Sequence, residues 1–335
     1  MFLYLCLAFL SWLHVAKSFR IFNIGPRLRR NVLLHHRIDP CADIAFSPCL
    51  HINWDNIVTQ EIREKLSAID EFETKFVHVS GNVLPDILKQ IKLETGVASV
   101  GASTRIEGSQ MDDEEVENFL ANVSKRSFLS RDEAEVFGYS EALQMVLDNY
   151  KKMPFSENVI CQLHGMLLDH TIKDQRHRGN YKKVPNHVVA TDPSGKIVGT
   201  ICETSTPLQT PQHMHELVTW ADCMLRESPV HSLLIIAVFT VVFLKIHPFQ
   251  DGNGRLSRLM WTWLMLRSGY SYVPYSSLET IFENNKQEFY SSLYKTQRTF
   301  GSDVVDHAPW IKFFIKCVAQ QQVRLDKKIF SLQAP

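Results

Sequence analysis

The sequence lacks the cysteine pattern of a zinc site or of a disulfide scaffold. Its seven cysteines are scattered and include no CxxC pair, the spacing that marks many zinc and redox sites. Cys41 and Cys49 are the pair that we would expect to form a disulfide if the protein resides in an oxidising compartment. Cysteine chemistry is therefore not where we look for function.

The sequence also lacks net charge and long hydrophobic runs. Lys and Arg number 36, and so do Asp and Glu, so no overall attraction to nucleic acid exists and we expect no nucleic-acid partner. The apolar stretch 232–244 has only thirteen residues, against roughly 20 for a membrane span. We interpret it as a buried core helix.

The N-terminus leaves two alternatives open. Phe2 to Leu13 form an apolar core, followed by Ala16 and Ser18 at a spacing suited to signal-peptide cleavage, but no basic segment precedes them. Residues 1–18 are thus a signal peptide or a short anchor, which would place the protein in the secretory pathway or on a membrane. Otherwise the protein is cytoplasmic. Residues 19–50 have no regular period, and we predict a disordered linker.

Helical periodicity dominates the rest of the chain. Hydrophobic residues make up 45% of the whole sequence. Apolar residues recur at three- and four-residue spacing from Trp54 to Ile69 and in 85–93, 113–123, 132–152, 155–172, 211–226, 231–246, 254–268, 277–299 and 308–330. We predict helix starts at Asp132, Ser156 and Pro211 and a helix stop at Gly269. Residues 181–201 carry β-branched runs around "DPSG", which predicts a hairpin. The predicted fold is an all-α bundle with one β-hairpin.

The polar stretch "HPFQDGNGRLSR", 247–258, directly follows the buried helix. It predicts a turn that ends at a helix N-terminus, where free backbone N–H groups and the helix dipole favour an anion. Gly252 and Gly254 allow a ligand close to the backbone. Arg255 and Arg258 lie three residues apart on one helical face, a suitable grip for a polyphosphate.

Two further residues of this stretch suggest a reaction. Asp251 supplies an oxygen ligand for phosphate-bound Mg²⁺, and His247 can take a proton from an attacking hydroxyl. Phe249 is predicted to be a buried anchor of the loop. A zinc hydrolase is excluded because His247 has no histidine or carboxylate partners at zinc-like spacing.

The stretch resembles the HxFx(D/E)GNGRxxR motif of the Fic family, with every defining position filled. The segments "EVFGYSEAL", "SENVICQLHGMLL", "RGNYKKV", "TPLQTPQHMHELVTW" and "NKQEFYSSL" resemble other family segments, so that the resemblance covers roughly 100–325. It implies a Fic-type helical bundle, with residues 113–330 as the catalytic domain. It also implies transfer of AMP from ATP to a Ser, Thr or Tyr hydroxyl of a target protein.

The resemblance assigns roles residue by residue. His247 would be the base, and Asp251 would hold Mg²⁺, or Mn²⁺ in its place. The nucleotide site would consist of Asp251, Gly252, Asn253, Gly254, Arg255, Leu256, Ser257, Arg258, Val188, Val189, Tyr290 and Gln297. Gln297 stands where some relatives have asparagine. The hairpin 181–201 resembles the flap that holds the target segment by strand pairing.

A second motif lies in residues 51–112, the predicted N-terminal helical region. Ser103, Glu107 and Gly108 resemble the (S/T)xxxE(G/N) inhibitory motif of Fic proteins. The resemblance implies that Glu107 pairs with Arg258 and holds ATP in an unproductive pose. From the residues alone, the same stretch is an ordinary helix end, with Ser103 as a cap and Gly108 as a terminator.

Three alternatives to an autoinhibited adenylyltransferase remain open at this point. The enzyme is a de-AMPylating or bifunctional one, it uses another nucleotide donor, or the chain is a nucleotide-binding module without catalysis. The intact His247 and Asp251 count against the last. As partners we expect a target protein on the flap, the protein itself through autoadenylylation, and a second copy in a homodimer.

Overall fold

The computed structural model describes residues 48–81, 85–122, 130–191, 197–302 and 304–333. Within them the chain forms twelve α-helices. They are α1 (Trp54–Ile57), α2 (Gln60–Ser80), α3 (Pro85–Ile106), α4 (Asp113–Asn122), α5 (Arg131–Asn149), α6 (Glu157–Leu167), α7 (Thr210–Glu227), α8 (Ser232–Ile246), α9 (Asn253–Arg267), α10 (Leu278–Asn284), α11 (Lys286–Gln297) and α12 (Ala308–Gln333). The predicted segment 1–18, most of the linker 19–50 and Cys41 of the predicted Cys41–Cys49 pair lie outside the described residues.

One antiparallel hairpin interrupts the helices, as predicted. Strands β1 (Val188–Thr191) and β2 (Ile197–Cys202) pair with two shifts of register. The predicted fold class, all-α with one hairpin, is confirmed.

Helix starts follow from short polar caps. Ser156 accepts a hydrogen bond from the backbone N–H of Val159 at 3.4 Å, as predicted for α6. The predicted cap Asp132 is wrong, because Ser130 caps α5 in a reciprocal pair with Glu133. Asp132 instead accepts a hydrogen bond from the backbone N–H of Gln110 at 2.8 Å, and so holds the turn that follows α3.

Helices α8 and α9 form the centre of the core. In α8 every residue except Lys245 is buried, which explains a helix that is apolar on all sides. It packs against α7, α9, α11 and α12. The core continues from Leu50 to Ile329, so the helices before residue 112 share it with those after. No helix within the described ranges has both the length and the apolar character needed to cross a bilayer.

This packing positions two segments against one helix end. Helix α3 packs against α5, α9 and α10, which brings its C-terminal end to the start of α9. The loop from α8 into α9 carries the polar stretch 247–258. The two motifs that the sequence singled out, 150 residues apart, therefore meet at one place.

Candidate active site

His247 ends α8 in a backbone conformation that non-glycine residues rarely adopt. Its φ of 52° and ψ of 60° are left-handed, and no other non-glycine residue of the described chain has a positive φ. The ring Nδ1 lies 3.3 Å from the carbonyl oxygen of Leu244. A carbonyl only accepts, so Nδ1 carries the hydrogen and Nε2 keeps a lone pair. Burial lowers the pKa of His247 to about 4, which leaves the ring neutral and able to accept a proton.

The loop after His247 is braced from inside. The amide of Asn253 bonds both backbone groups of Phe249, accepting from N at 2.9 Å and donating to O at 2.7 Å. The ring of Phe249 is fully buried and stacks on His164, with 3.8 Å between ring centroids. The predicted anchor role of Phe249 is confirmed.

His164 fixes the next turn through a defined tautomer. Its Nδ1 accepts a hydrogen bond from the backbone N–H of Gly179 at 2.9 Å. Nε2 therefore carries the hydrogen and donates to the carbonyl oxygen of Asp251 at 2.9 Å. Burial lowers the pKa of His164 to about 4, so this pattern persists at neutral pH.

Asp251 and Gly252 form the start of α9. Gly252 has a φ of 78°, which favours glycine, and its N–H donates to Asp251 Oδ1 at 2.6 Å. Arg255 and Arg131 each place an Nη2 atom 3.4 Å from an Asp251 oxygen. Burial alone would raise the pKa of Asp251, but Arg255 and the Gly252 amide outweigh it and hold the pKa below its usual value. The carboxylate is thus ionised.

Arg255 is a buried cation with unused donors. It is 2% exposed, and Nη1 lies 3.1 Å from Glu135 Oε2. Among the described residues its Nε and Nη1 have no hydrogen-bond partner. Glu135 also accepts from Arg131 Nε at 2.6 Å. A buried guanidinium with N–H groups to spare is suited to an anionic ligand.

Arg258 is held by α3, the helix that carries the second motif. It is 1% exposed and donates to Ser103 Oγ at 2.8 Å, to Ser103 O at 2.9 Å and to Glu107 Oε1 at 2.7 Å. Burial alone would raise the pKa of Glu107, but Arg258 outweighs it and holds the pKa below its usual value. The carboxylate also explains Gly254, since a Cβ at that position would collide with it.

Other residues of the predicted nucleotide site lie farther inside. The side chain of Leu256 is fully buried, and Ser257 Oγ donates to the carbonyl oxygen of Gly254 at 2.8 Å. Gln297 is buried and donates to the carbonyl oxygen of Val241 at 3.4 Å. Leu256 and Ser257, both of α9, therefore offer a ligand their backbone rather than their side chains, and the side chain of Gln297, at the end of α11, is bound to the backbone of α8.

The remaining predicted contacts lie at the edge of the site. Tyr290 is 45% exposed, with its hydroxyl 3.5 Å from the carbonyl oxygen of Ile106, next to Glu107. Burial, reinforced by Glu107, raises the pKa of Tyr290, so the phenol stays protonated. Val188 and Val189 lie in β1, and their side chains are outside the description. Gly108, with a φ of 112°, turns the chain after the second motif.

Sequence reasoning missed four residues that hold this site, namely Glu135, His164, Lys182 and Asn186. Each is polar and lies in an upstream segment, and buried polar groups require partners. The sequence offered one signal for these residues, since a charged residue such as Glu135 at the apolar face of a helix indicates a buried partner of opposite charge. The identity of its partner, 120 residues further on, was not readable from the pattern.

Residues 154–265 match the family model described as the Fic/DOC family. The chain is 27% identical over 272 residues to the protein adenylyltransferase Fic of Nematostella vectensis, covering 78% of this chain and 55% of that protein. The corresponding protein of Drosophila grimshawi is 24% identical over 259 residues, covering 77% and 46%. The chain spans about half the length of the curated relatives that it matches.

Solved Fic structures share the fold. A Fic family protein from Desulfovibrio desulfuricans superposes with a TM-score of 0.66 at 20% identity, over 83% of this chain and 77% of that one. Fic-1 from C. elegans gives a TM-score of 0.63 at 20% identity, over 83% and 76%. The chain therefore has the fold of these Fic structures, and with the match of residues 154–265 to the Fic/DOC family model the resemblance that its motif predicted is confirmed.

Proposed function

We propose that this protein is an autoinhibited protein adenylyltransferase, which transfers AMP from ATP to a hydroxyl of a target protein. The observation that carries the proposal is the junction of α8 and α9. A neutral, proton-accepting His247 lies there beside a helix N-terminus and a buried Arg255 with unused N–H groups. The names of the curated relatives, protein adenylyltransferase, support the same activity.

The residues present fit a nucleoside triphosphate. The start of α9 presents backbone N–H groups that lack intrahelical partners, and Gly252 and Gly254 keep side chains away from them. Arg255 adds Nε and Nη1, which donate no hydrogen bond within the described residues, although Nη1 also lies 3.1 Å from Glu135 Oε2. Anionic phosphates would satisfy both sets of donors.

The residues also fit Mg²⁺ brought in by the nucleotide. The described residues contain no group of three or more metal ligands, so they offer no all-protein metal site. Phosphate-bound Mg²⁺ needs only one or two carboxylates, and the ionised Asp251 supplies one. When bound, the ion would neutralise phosphate charge. Arg131, which lies 3.4 Å from Asp251, would then keep its bond to Glu135.

His247 supplies the proton transfer. Nε2 accepts the proton of a Ser, Thr or Tyr hydroxyl while that oxygen forms a bond to the α-phosphorus of ATP. The bond from the α-phosphorus to the diphosphate breaks, and diphosphate leaves with its electron pair. The Nδ1–H bond to Leu244 keeps Nε2 as the acceptor. The protein contributes position and charge rather than a covalent intermediate.

Glu107 restrains this reaction. With Glu107 and Ser103 bound, the Nε and Nη2 groups of Arg258 have protein acceptors, so they are not available to a phosphate. The pair is charge-assisted and Arg258 is almost fully buried, conditions that make such a bond strong. Release requires the end of α3 to withdraw. The ionised Glu107 carboxylate can also orient a water molecule, which supports removal of AMP as a second activity.

The hairpin supports a protein substrate. An antiparallel pair offers backbone N–H and C=O groups at its edge, to which an extended segment can add as a strand. Such pairing depends on the backbone and tolerates many sequences. The protein's own hydroxyls are then the nearest available substrates, which makes autoadenylylation a usable readout.

The experiment compares three forms of the full chain incubated with Mg²⁺ and ATP that is radiolabelled at the α-phosphate. The forms are the wild type, Glu107→Gly, and Glu107→Gly combined with His247→Ala. We expect strong label on protein in the Glu107→Gly form, much weaker label in the wild type and none in the double variant. Label in the double variant would contradict the role of His247, and equal label in the wild type would contradict the restraint.

Two further arms separate the alternatives. Labelled UTP and GTP in parallel reactions identify another nucleotide donor. Modified Glu107→Gly protein, freed of nucleotide and mixed with wild-type protein, reports AMP release if the enzyme is bifunctional. Absence of label with all three nucleotides and with any added protein would refute the transferase.

A further inference from the structure

The backbone around His247 is held by one short segment, residues 182–186. Four consecutive carbonyl oxygens of the loop face donors from this segment, those of Ile246, His247, Pro248 and Phe249. Lys182 donates from Nζ to the carbonyl oxygen of Ile246 at 3.0 Å and from its backbone N to that of Pro248 at 2.8 Å. Asn186 Nδ2 donates to the carbonyl oxygen of Phe249 at 2.6 Å and lies 3.5 Å from that of His247.

These contacts bear on the conformation of His247 itself. A left-handed residue with a side chain is strained and persists only where its surroundings enforce it. The donors of Lys182 and Asn186 fix the carbonyl groups before and after His247. Without them, the residue could relax to an ordinary backbone conformation and its ring would leave its present position.

Lys182 also connects the loop to both stems of the hairpin. The residue is 3% exposed, and its ammonium donates to Asn186 Oδ1 at 2.7 Å, to Thr204 Oγ1 at 2.9 Å and to Ile246 O at 3.0 Å. These three acceptors match the three N–H groups of an ammonium. Asn186 lies just before β1 and Thr204 just after β2, and Thr204 Oγ1 donates to Asn186 O at 2.9 Å.

We infer that Lys182, Asn186 and Thr204 form a positioning node that couples the stems of the hairpin to the backbone of His247. The inference rests on the proposed function, in which His247 is the base and the hairpin holds the target. The node would set the pose of the base and leave nucleotide binding untouched, because none of its described contacts reaches Arg255 or Arg258. Its members are positioning residues, since they act through His247.

The test uses the full chain in the Glu107→Gly background, with Lys182→Met as the variant. Methionine keeps the length of the side chain but removes the charge and the donors. We expect the rate of autoadenylylation at saturating ATP to fall about 100-fold, the order expected for a base misplaced by about an ångström. We expect the dissociation constant of ATP, measured by calorimetry, to stay within about twofold.

Three variants sharpen the result. Lys183→Met changes an exposed neighbouring lysine and should leave both quantities unchanged. Lys182→Arg restores charged donors and should recover part of the rate. Asn186→Asp removes the donor to Phe249 while leaving an acceptor for Lys182, and it should reproduce the loss of rate. If Lys182→Met does not fold, the rate of Asn186→Asp tests the inference in its place.

A second readout does not need activity. In the NMR spectrum of ring-labelled protein, Lys182→Met should shift the signals of His247 and leave unchanged those of His307, whose ring bonds the carbonyl oxygen of Cys49 and no member of the node. If Glu107→Gly transfers no AMP, the proposed function fails, and this spectrum still tests the node. An unchanged rate with unchanged His247 signals would overturn the inference. So would an equal loss of ATP binding, which would place the defect in the nucleotide site or the whole fold.

Discussion

At the scale of single residues, two side chains on either side of the loop between α8 and α9 are in opposite states. His247 is neutral and carries a free lone pair, because burial disfavours its charged form and Leu244 fixes the tautomer. The Nε and Nη2 groups of Arg258 are bound to Ser103 and Glu107. In the proposed function, His247 is therefore ready to accept a proton, whereas Arg258 is withheld from the phosphates.

The protonation state of His247 leads to a prediction for pH. Because its pKa is about 4 instead of the ordinary 6.5, the proton-accepting form persists well into the acid range. Autoadenylylation by the Glu107→Gly variant should therefore stay nearly constant from about pH 8 to about pH 5.5. The measurement is the initial rate at saturating ATP across that range. A fall centred near the ordinary histidine value would show that His247 is more exposed in the working enzyme.

At the scale of elements, the proposed restraint by Glu107 depends on how the end of α3 is fixed. Arg105, two residues before Glu107, binds Glu283 of α10 with two hydrogen bonds, at 2.7 and 3.0 Å. It also lies 2.9 Å from Asp113 of α4 and donates to the carbonyl oxygen of Met111 at 3.0 Å. The guanidinium of Arg105 thus joins α3, α4 and α10 beside Glu107.

Loss of this clamp should weaken the restraint without removing it. We expect Arg105→Ala, with Glu107 intact, to raise autoadenylylation about tenfold over wild type, the equivalent of ~1.4 kcal/mol. The Glu107→Gly variant should remain more active than Arg105→Ala. Lys328→Ala is the control. Lys328 of α12 pairs with Glu94, a residue of α3 that is far from the site. Activity equal to wild type in Arg105→Ala would mean that the packing of α3 alone holds Glu107.

The elements also show how far the sequence predicts the structure. The periodicity located the buried helix, the hairpin and the helix start at Ser156, since each depends on local pattern. The predicted helix 277–299 is instead two helices that meet at Asn285, a break without proline or glycine to announce it. The motif predicted that His247, Asp251 and the two arginines lie close together, and the structure has the first two in the loop between α8 and α9 and the arginines in the first turns of α9. The clamp by Lys182 and Asn186 depends on tertiary contacts, which no spacing encodes.

At the scale of the whole molecule, buried histidines make stability depend on pH. His164, His247 and His307 each have a pKa lowered by burial to about 4. The unfolded chain takes up protons on these residues near pH 6.5, before the folded protein does. Their contribution to stability is thus fully present above pH 6.5 and is lost progressively as the pH falls to about 4.

His307 allows this to be measured away from the active site. Its Nε2 donates to the carbonyl oxygen of Cys49 at 2.9 Å, and glutamine can keep such a bond. The thermal midpoint of wild type should fall between about pH 6.5 and pH 4.5, and that of His307→Gln should fall less steeply. Parallel curves for the two proteins would show that His307 titrates normally in the folded state.

The most direct measurement of the central claim is the intact mass of the Glu107→Gly protein after incubation with ATP and Mg²⁺. The proposed function predicts a gain of one or more adenylyl groups, abolished by adding His247→Ala and much smaller in the wild type. Peptide mapping should place the group on a hydroxyl side chain. An unchanged mass in Glu107→Gly protein that binds ATP would contradict the claim that this site, once released, transfers AMP to its own hydroxyls.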